Sequence, residues 1–287
     1  MGNQGGGGVF LYGSTTLTNC EVIGNLTSNK ATGGAQSGGG GVYVMGGGEI
    51  YNCRIISNVA AAGSAYWERG GGGVFMYESG AKMFNSIISG NLLTCGAAAG
   101  TGPTGGGVVM REVGTTGIMR NCLIAGNEIR SSSASRGGNG LFVNGGPVES
   151  CTIMDNKGNG AGGVYSYPSY STLFINTIVQ SNYSSGVISN WYFWDSALPS
   201  LTNCCIDPTN FPALVQSSGC ITSSPQVINS AGGNYRLSVD SPCVNAGIYQ
   251  SWMTTGVDLD GRRRIVYNRV DLGAYEFMHS GTIFSGR

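Results

Sequence analysis

LTNCEVIGN (17–25), IYNCRIISN (50–58), MFNSIISGN (83–91) and MRNCLIAGN (119–127) are one phrase repeated. It continues as VESCTIMDN (148–156), FINTIVQSN (174–182) and, one residue longer, LTNCCIDPTN (201–210). Ahead of each copy stands a glycine-rich element opening onto apolar residues: GGGGVF at 5, GGGGVY at 38, GGGGVF at 70, GGGVV at 105, GGNGLF at 137, GGVY at 162 and SGVI at 185. Self-similarity at periods of about 20 to 50 residues marks stacked units, none of which can bury its apolar face alone. The chain therefore reads as a solenoid of seven coils.

Aligning the copies on one slot, held by Cys20, Cys53, Ser86, Cys122, Cys151, Thr177 and Cys204, gives the facing of each side chain. Two residues on stand Val22, Ile55, Ile88, Ile124, Ile153, Val179 and Ile206, inward at the period of a strand. Three residues before the slot stand Leu17, Ile50, Met83, Met119, Val148, Phe174 and Leu201. Two buried columns at odd separation cannot share one straight strand, so the chain bends between them. The bend falls at Asn19, Asn52, Asn85, Asn121, Asn176 and Asn203, with Ser150 the exception, and asparagine is the non-glycine residue that best tolerates left-handed backbone. Stacked asparagines can also hydrogen-bond along the pile. A second asparagine column, Asn25 to Asn182, closes the strand. The glycine element supplies the third strand of each turn, with Val9, Val42, Val74, Val108, Leu141, Val164 and Val187 inward.

Three parallel strands per turn make an all-β fold, a parallel β-helix, over residues 1–212. The pattern resembles the right-handed parallel β-helix proteins, and the GG-rich openings with strands ending in Asn resemble the repeats of polymorphic outer-membrane proteins and adhesins. The motifs are specific for fold and weak for activity.

With 51 glycines, 10% charged residues and 15 basic against 15 acidic groups, the chain has no electrostatic footprint for nucleic acid and no basic helix for a membrane surface. No run approaches the roughly 18 apolar residues of a membrane span, and no export signal opens the chain. The native protein is expected to start upstream of Met1, its signal lying there. Five of the nine cysteines share the aligned slot, which reads as a column of small buried side chains. Parallel Cβ vectors argue against a disulfide ladder. One bridge among Cys205, Cys220 and Cys243 is open, Cys205 with Cys220 first.

Between the inward columns of the glycine strand runs an outward one: Phe10, Tyr43, Phe75, Val109, Phe142, Tyr165 and Ile188. A contiguous apolar stripe on an outer face marks a ligand or partner surface unless something covers it. Rows of rings beside glycines suit pyranose stacking, so Phe10, Tyr43, Phe75, Phe142 and Tyr165 are candidate ligand-binding residues, for polysaccharide or a surface protein; cover by loops is the competing reading. The loops at 26–37, 59–69 and 92–104 are long, and loops on a rigid scaffold carry function. Tyr66 and Trp67 make the second the best equipped, as binding residues or as a shield for the glycine face.

Catalysis needs convergent groups: carboxylates holding calcium beside a Lys or Arg base, or paired acids at acid/base spacing. No two acids share an outward column on adjacent coils within one strand; Glu21 and Arg54 read as a surface ion pair, and Glu78, Glu112 and Arg111 are the nearest approach to a cluster. The sole histidine, His279, lies in the tail. The glycine runs precede strands rather than helices and make no phosphate loop. No catalytic residue, metal or cofactor is assigned. A polysaccharide lyase, or a glycoside hydrolase, is the rival reading; a filament or surface-layer subunit associating through its open N-terminal end is a third.

After Asn210 the period is lost. SPCVNAG (241–247) and DLDGRRRIVYNRVDLGAYEF (258–277) resemble the end of choice-of-anchor Q domain proteins, with Asp258, Asp260, Gly261, Arg264, Asp271, Gly273, Ala274, Tyr275 and Glu276 on the motif. The resemblance implies a secreted or cell-surface bacterial protein; the tail, 278–287, matches no sorting signal. Residues 213–277 are read as a module capping the open end of the solenoid, with Arg264 pairing Asp271 or Glu276. Calcium at Asp258 and Asp260 is the lesser reading, for want of donors.

Overall fold

The computed structural model of the 287-residue chain describes residues 5–29, 38–62, 70–95, 104–131, 135–167, 172–194, 198–209 and 217–278. Its core is a right-handed parallel β-helix. The first sheet runs from Val9–Tyr12 through Val42–Met45, Val74–Tyr77, Val108–Arg111, Ser135–Asn144 and Gly160–Ser166 to Trp191–Phe193. The second begins at Thr16–Thr18 and the third at Glu21–Ile23, each adding one strand per coil in the register the aligned columns require. The inward valines, isoleucines, leucines and methionines of all three form one continuous core.

The bends are where the asparagines stand. Asn19, Asn52, Asn85, Asn121, Asn176 and Asn203 have φ between 46° and 54°, and Ser150 has φ 50°. The slot side chains point inward and cap the bend: Cys53, Cys122, Cys151 and Cys204 donate their thiol hydrogens, and Ser86 and Thr177 their hydroxyls, to the carbonyl two residues back. A small side chain with a donor is what the position uses.

The second asparagine column does more than close a strand. The left-handed residue there is the preceding one, for example Ser57 (φ 56°) and Gly90 (φ 61°), and Asn58, Asn91, Asn127, Asn156 and Asn182 are fully buried. In each coil Oδ1 accepts both the backbone N–H and the side-chain amide of the previous coil's asparagine: Asn91 N and Nδ2 lie 3.0 and 2.9 Å from Asn127 Oδ1. Nδ2 also donates to an inner-strand carbonyl, as Asn127 does to Ile88 at 3.0 Å. The last glycine of each run exists to admit this amide, since a Cβ on Gly107 would stand 2.8 Å from Asn127 Nδ2.

Three expectations about the coils need correction. Each early turn has four strands, because Leu26–Asn29, Val59–Ala62, Leu92–Cys95, Glu128–Ser131 and Lys157–Gly158 pair into a fourth sheet where loops were expected. In the seventh coil SGVI does not continue the first sheet. Tyr183–Ser184 and Val187–Ile188 form an antiparallel hairpin about Ser185 (φ 48°) and Gly186 (φ 82°), which leaves Val187 exposed and hands the inward position to Trp191. And the period outlasts Asn210: Ser217–Ser218 pairs with Leu201 and Thr202 as an eighth strand of the second sheet. Gly219 (φ 66°) makes the bend there, and Cys220 takes the slot, its Sγ 3.4 Å from the Cys204 N–H. All nine cysteines are free thiols. Cys205 faces the opposite side of the sheet from Cys220, in a separate core with Cys243, so the favoured bridge has no geometry.

Of residues 213–277, expected to cap the open end, Ser217–Ser218, Cys220 and Ile221 stack on the last coil, while the rest lies along the flank. Tyr235, Leu237, Cys243, Leu272, Ala274 and Tyr275 pack on the outer face of the third sheet against Leu123, Ala125, Met154, Ile178 and Cys205. Bend asparagines bind its backbone: Asn203 donates to Ala246 O at 2.9 Å, Asn176 to Ile248 O at 2.7 Å and Asn121 to Val257 O at 2.9 Å. The motif residues build the module itself. Fully buried Arg264 pairs with Glu276 at 3.1 Å and donates to the carbonyls of Gly273 and Asp271. Asp271 accepts from the N–H groups of Asn245 and Phe277, and Asp258 from those of Asp260, Arg262 and Glu276. Asp260 is held by Arg236 and Arg262, so neither acid of the D-x-D pair is open to a cation.

Burial pushes the Glu276 carboxyl up to about 8 against the pull of Arg264, and raises those of Asp258 and Asp271. All three hold protons more tightly folded than unfolded. Stability is therefore greatest below the ordinary carboxylate range and falls as pH rises towards about 8. Calorimetry is expected to give a higher melting temperature near pH 5 than near pH 8; a melting temperature that climbs across that window would contradict the assignment.

Candidate functional site

Phe10, Tyr43, Phe75, Val109, Phe142 and Tyr165 stack from coil to coil on the outer face of the first sheet. Ring centroids are 5.1 Å apart for Phe10 and Tyr43, 5.2 Å for Tyr43 and Phe75, and 5.4 Å for Phe142 and Tyr165. The facing is as expected, and of the two readings of the stripe the one realised is cover. Tyr43 and Phe75 are fully buried and Phe142 and Tyr165 nearly so, in a satellite core where Met45, Tyr77, Ala161, Tyr167 and Trp194 pack on them. As placed, these four rings offer no face to a ligand; Phe10, 45% exposed, does. Ile188 leaves the column for the hairpin, and Tyr192 replaces it 5.0 Å from Tyr165. Tyr66, Trp67 and His279 lie outside the described residues.

The next outward column, two residues further along the same strands, carries the polar chemistry. Tyr77, Arg111 and Asn144 are register partners on adjacent coils. The Arg111 guanidinium lies 5.3 Å from the Tyr77 ring centroid, and its Nη2 donates to Glu112 Oε1 at 2.6 Å. Its Nη1 is buried without a hydrogen-bond partner, and so is Oδ1 of Asn144, a residue 5% exposed. Two such orphans on register-paired residues of adjacent coils are notable, because each unmet buried polar group costs roughly 1–3 kcal/mol.

Glu78 and Glu112 follow at the corner, at equivalent positions of coils three and four, where Glu78 N–H bonds the Arg111 carbonyl. Both are left-handed, with φ 66° and 54°. The same column holds Gly13, Gly46 and Gly145, whose φ values run from 63° to 101°. Glutamates held where neighbouring coils use glycine store local strain, which concentrates at functional sites. Burial raises the Tyr43 hydroxyl above its ordinary value, with Tyr77 and Glu78 adding to the effect. The corner thus sets two carboxylates at a half-exposed rim and a free guanidinium N–H and amide oxygen beneath it.

Such a set can accept and donate hydrogen bonds at once, as a polyhydroxylated ligand demands. Arg111 is bound to Glu112 and stacked on Tyr77, so it is no free base, and among the described residues no three His, Cys, Asp or Glu side chains group as a metal requires. Glu21 and Arg54 do form the expected surface pair, at 2.9 Å. Sequence alignment alone singled out Glu78, Glu112 and Arg111 but passed over Asn144. The signal for the corner lay in its column, where glutamates interrupt glycines.

A family model described as "Right handed beta helix region" matches residues 2–193. No curated protein and no solved structure gives a match.

Proposed function

The chain belongs to the right-handed β-helix family, and on that premise we propose that it is a non-catalytic, extracellular or surface-borne module that binds a glycan at the corner formed by Tyr77, Arg111, Asn144, Glu78 and Glu112. The carrying observation is the pair of buried, unpartnered atoms, Arg111 Nη1 and Asn144 Oδ1, beneath two left-handed glutamates. The half-exposed carboxylates of Glu78 and Glu112 are the groups a sugar hydroxyl meets, and the donor and acceptor beneath them, closed to solvent as placed, join only when a ligand parts the rim. Export and surface attachment draw support from the likeness of residues 223–277 to choice-of-anchor Q domains and of the repeats to adhesins. No helix among the described residues is long and apolar enough to cross a membrane.

The test is a glycan array with the unaltered protein and with Asn144→Leu. Replacing an unsatisfied buried amide by an apolar side chain of similar size is nearly neutral or stabilising. The variant is expected to keep or raise its denaturation midpoint while glycan retention falls at least about tenfold, the loss of one charged or polar contact. Equal retention by the variant would remove the corner from the binding site. The rival reading, a lyase, rests on the convergence of Glu78, Glu112 and Arg111, and is read in the same screen. Unsaturated oligosaccharides released by purified protein would establish cleavage and overturn the non-catalytic assignment.

A further inference from the structure

The bend asparagines do two jobs in the coils that carry the C-terminal module. Asn121 gives one amide hydrogen to Asn85 Oδ1 of the preceding coil at 3.0 Å and the other to the Val257 carbonyl at 2.9 Å. Asn176 reads a peptide unit from both sides, donating to Ile248 O at 2.7 Å and accepting from Ile248 N–H at 2.8 Å. The segment it reads is Ala246, Gly247 and Ile248, and a Cβ on Gly247 would stand 3.2 Å from Asn176 Oδ1. In coils four, six and seven the column thus binds polypeptide backbone, with Ser150 of coil five the gap.

The module stops at Leu259, but the column continues. Asn19, Asn52 and Asn85 open into a groove of about 300 Å³, bounded by Leu259 at the module's edge, by Ile87, and by the Glu21 and Arg54 ion pair. Asn52 repeats the pattern of Asn121: one amide hydrogen goes to Asn19 Oδ1 at 2.5 Å, and the second has no partner among the described residues. Asn19 and Asn52 are exposed. The outer face of the third sheet changes with the cover, from Glu21 and Arg54 where it is open to Leu123, Met154 and Ile178 beneath the module.

We propose that this groove binds an extended peptide segment of a partner protein, read by Asn52 and Asn85 as Ile248 is read by Asn176. The partner is specified by backbone carrying small and branched apolar side chains, because Ala246, Ile248 and Val257 are what the covered part of the column holds. Glu21 and Arg54 flank the groove with balanced charge, so neither acidic nor basic peptides are favoured.

The probe is a fluorescein-labelled peptide with the sequence of residues 244–250, VNAGIYQ, titrated into the full chain. Saturable binding is expected, with the side-chain amide resonances of Asn52 and Asn85 shifting in the unaltered protein. Asn52→Gly keeps the left-handed bend open to the chain and removes the amide; it is expected to weaken binding about fivefold, the worth of one hydrogen bond. Absence of saturation at millimolar peptide, shifts confined to Asn176 and Asn203, or affinity unchanged in Asn52→Gly would each overturn the proposal. A protein already dimeric, with the Asn52 amide protected before peptide is added, would assign the groove to a second copy and overturn it likewise.

Discussion

Alanine at Asn127 is expected to cost the fold about 4 kcal/mol, read as a lower urea midpoint at unchanged slope. The side chain is fully buried, and its loss strands several groups together. Asn91 N–H and Asn91 Nδ2 lose their shared acceptor, Ile88 O loses a donor at 3.0 Å, and Asn156 Oδ1 loses one of two donors. Each orphan costs roughly 1–3 kcal/mol, partly relieved by water entering the space. Asn25→Ala is the control. It stands at the half-buried first position, accepts from no described residue of a previous coil, and after its removal Asn58 Oδ1 keeps the backbone N–H of residue 25 as a donor at 2.9 Å. That variant should cost about 1 kcal/mol. Equal costs at the two positions would mean that the ladder adds nothing beyond ordinary local bonds.

At a pH above about 8, where Glu276 is charged, Arg264→Met should destabilise the C-terminal module by about 3–5 kcal/mol, the cost of removing one partner of a buried ion pair. Glu276 then faces burial alone, and the carbonyls of Gly273 and Asp271 lose their donor. Limited proteolysis is expected to release the module before the solenoid unfolds, and dye binding to report Leu123, Met154 and Ile178 newly exposed. Above pH about 8, where the Glu276 carboxyl ionises, adding Glu276→Gln should return part of the loss, since no carboxylate is then left stranded. A double variant no more stable than Arg264→Met would show that the guanidinium acts through its carbonyl bonds alone.

Much of the coil was legible in its columns because a repeat prints each structural demand several times. One asparagine at a left-handed bend is weak evidence, whereas six with one serine leave little else to conclude. What escaped notice was unrepeated or disguised. The eighth rung carries Gly219 for asparagine and Ser217 where a large apolar residue stands elsewhere, so neither column announces it. SGVI copies the glycine element, and nothing local to it says that Asn190 and Trp191 follow with the true register. The fourth strand is written in small residues such as VAAA, which look like loop.

The candidate site was less legible than the fold. Parity placed the aromatic column outside the main core, but parity says which way a ring points and not what lies over it. The corner was visible only in part: Glu78, Glu112 and Arg111 stood out as charged, while Asn144 needed the burial of its oxygen to be noticed. The module's seat on the flank had a signal that columns could have given. Outward residues of the third sheet change from Glu21 and Arg54 to Leu123 and Ile178, and an outer face that turns apolar part way along is waiting for cover.

The inner asparagine ladder also gives the molecule an electrical direction. Every amide from Asn25 to Asn182 donates to the one in the next coil, and Asn182 passes the chain on to Asn190 at 3.1 Å. The dipoles add head to tail and polarise one another, as peptide dipoles do in a helix. At the donor end Asn190 meets the carboxylate of Asp207 at 3.3 Å, an anion where positive potential gathers. At the other end Asn25 Oδ1 accepts from no described residue. Any coil stacked before the first would find a waiting acceptor, while beyond Asn190 the ladder ends on Asp207, so the asparagine ladder, unlike the second sheet with its eighth rung, can be lengthened only at its first coil.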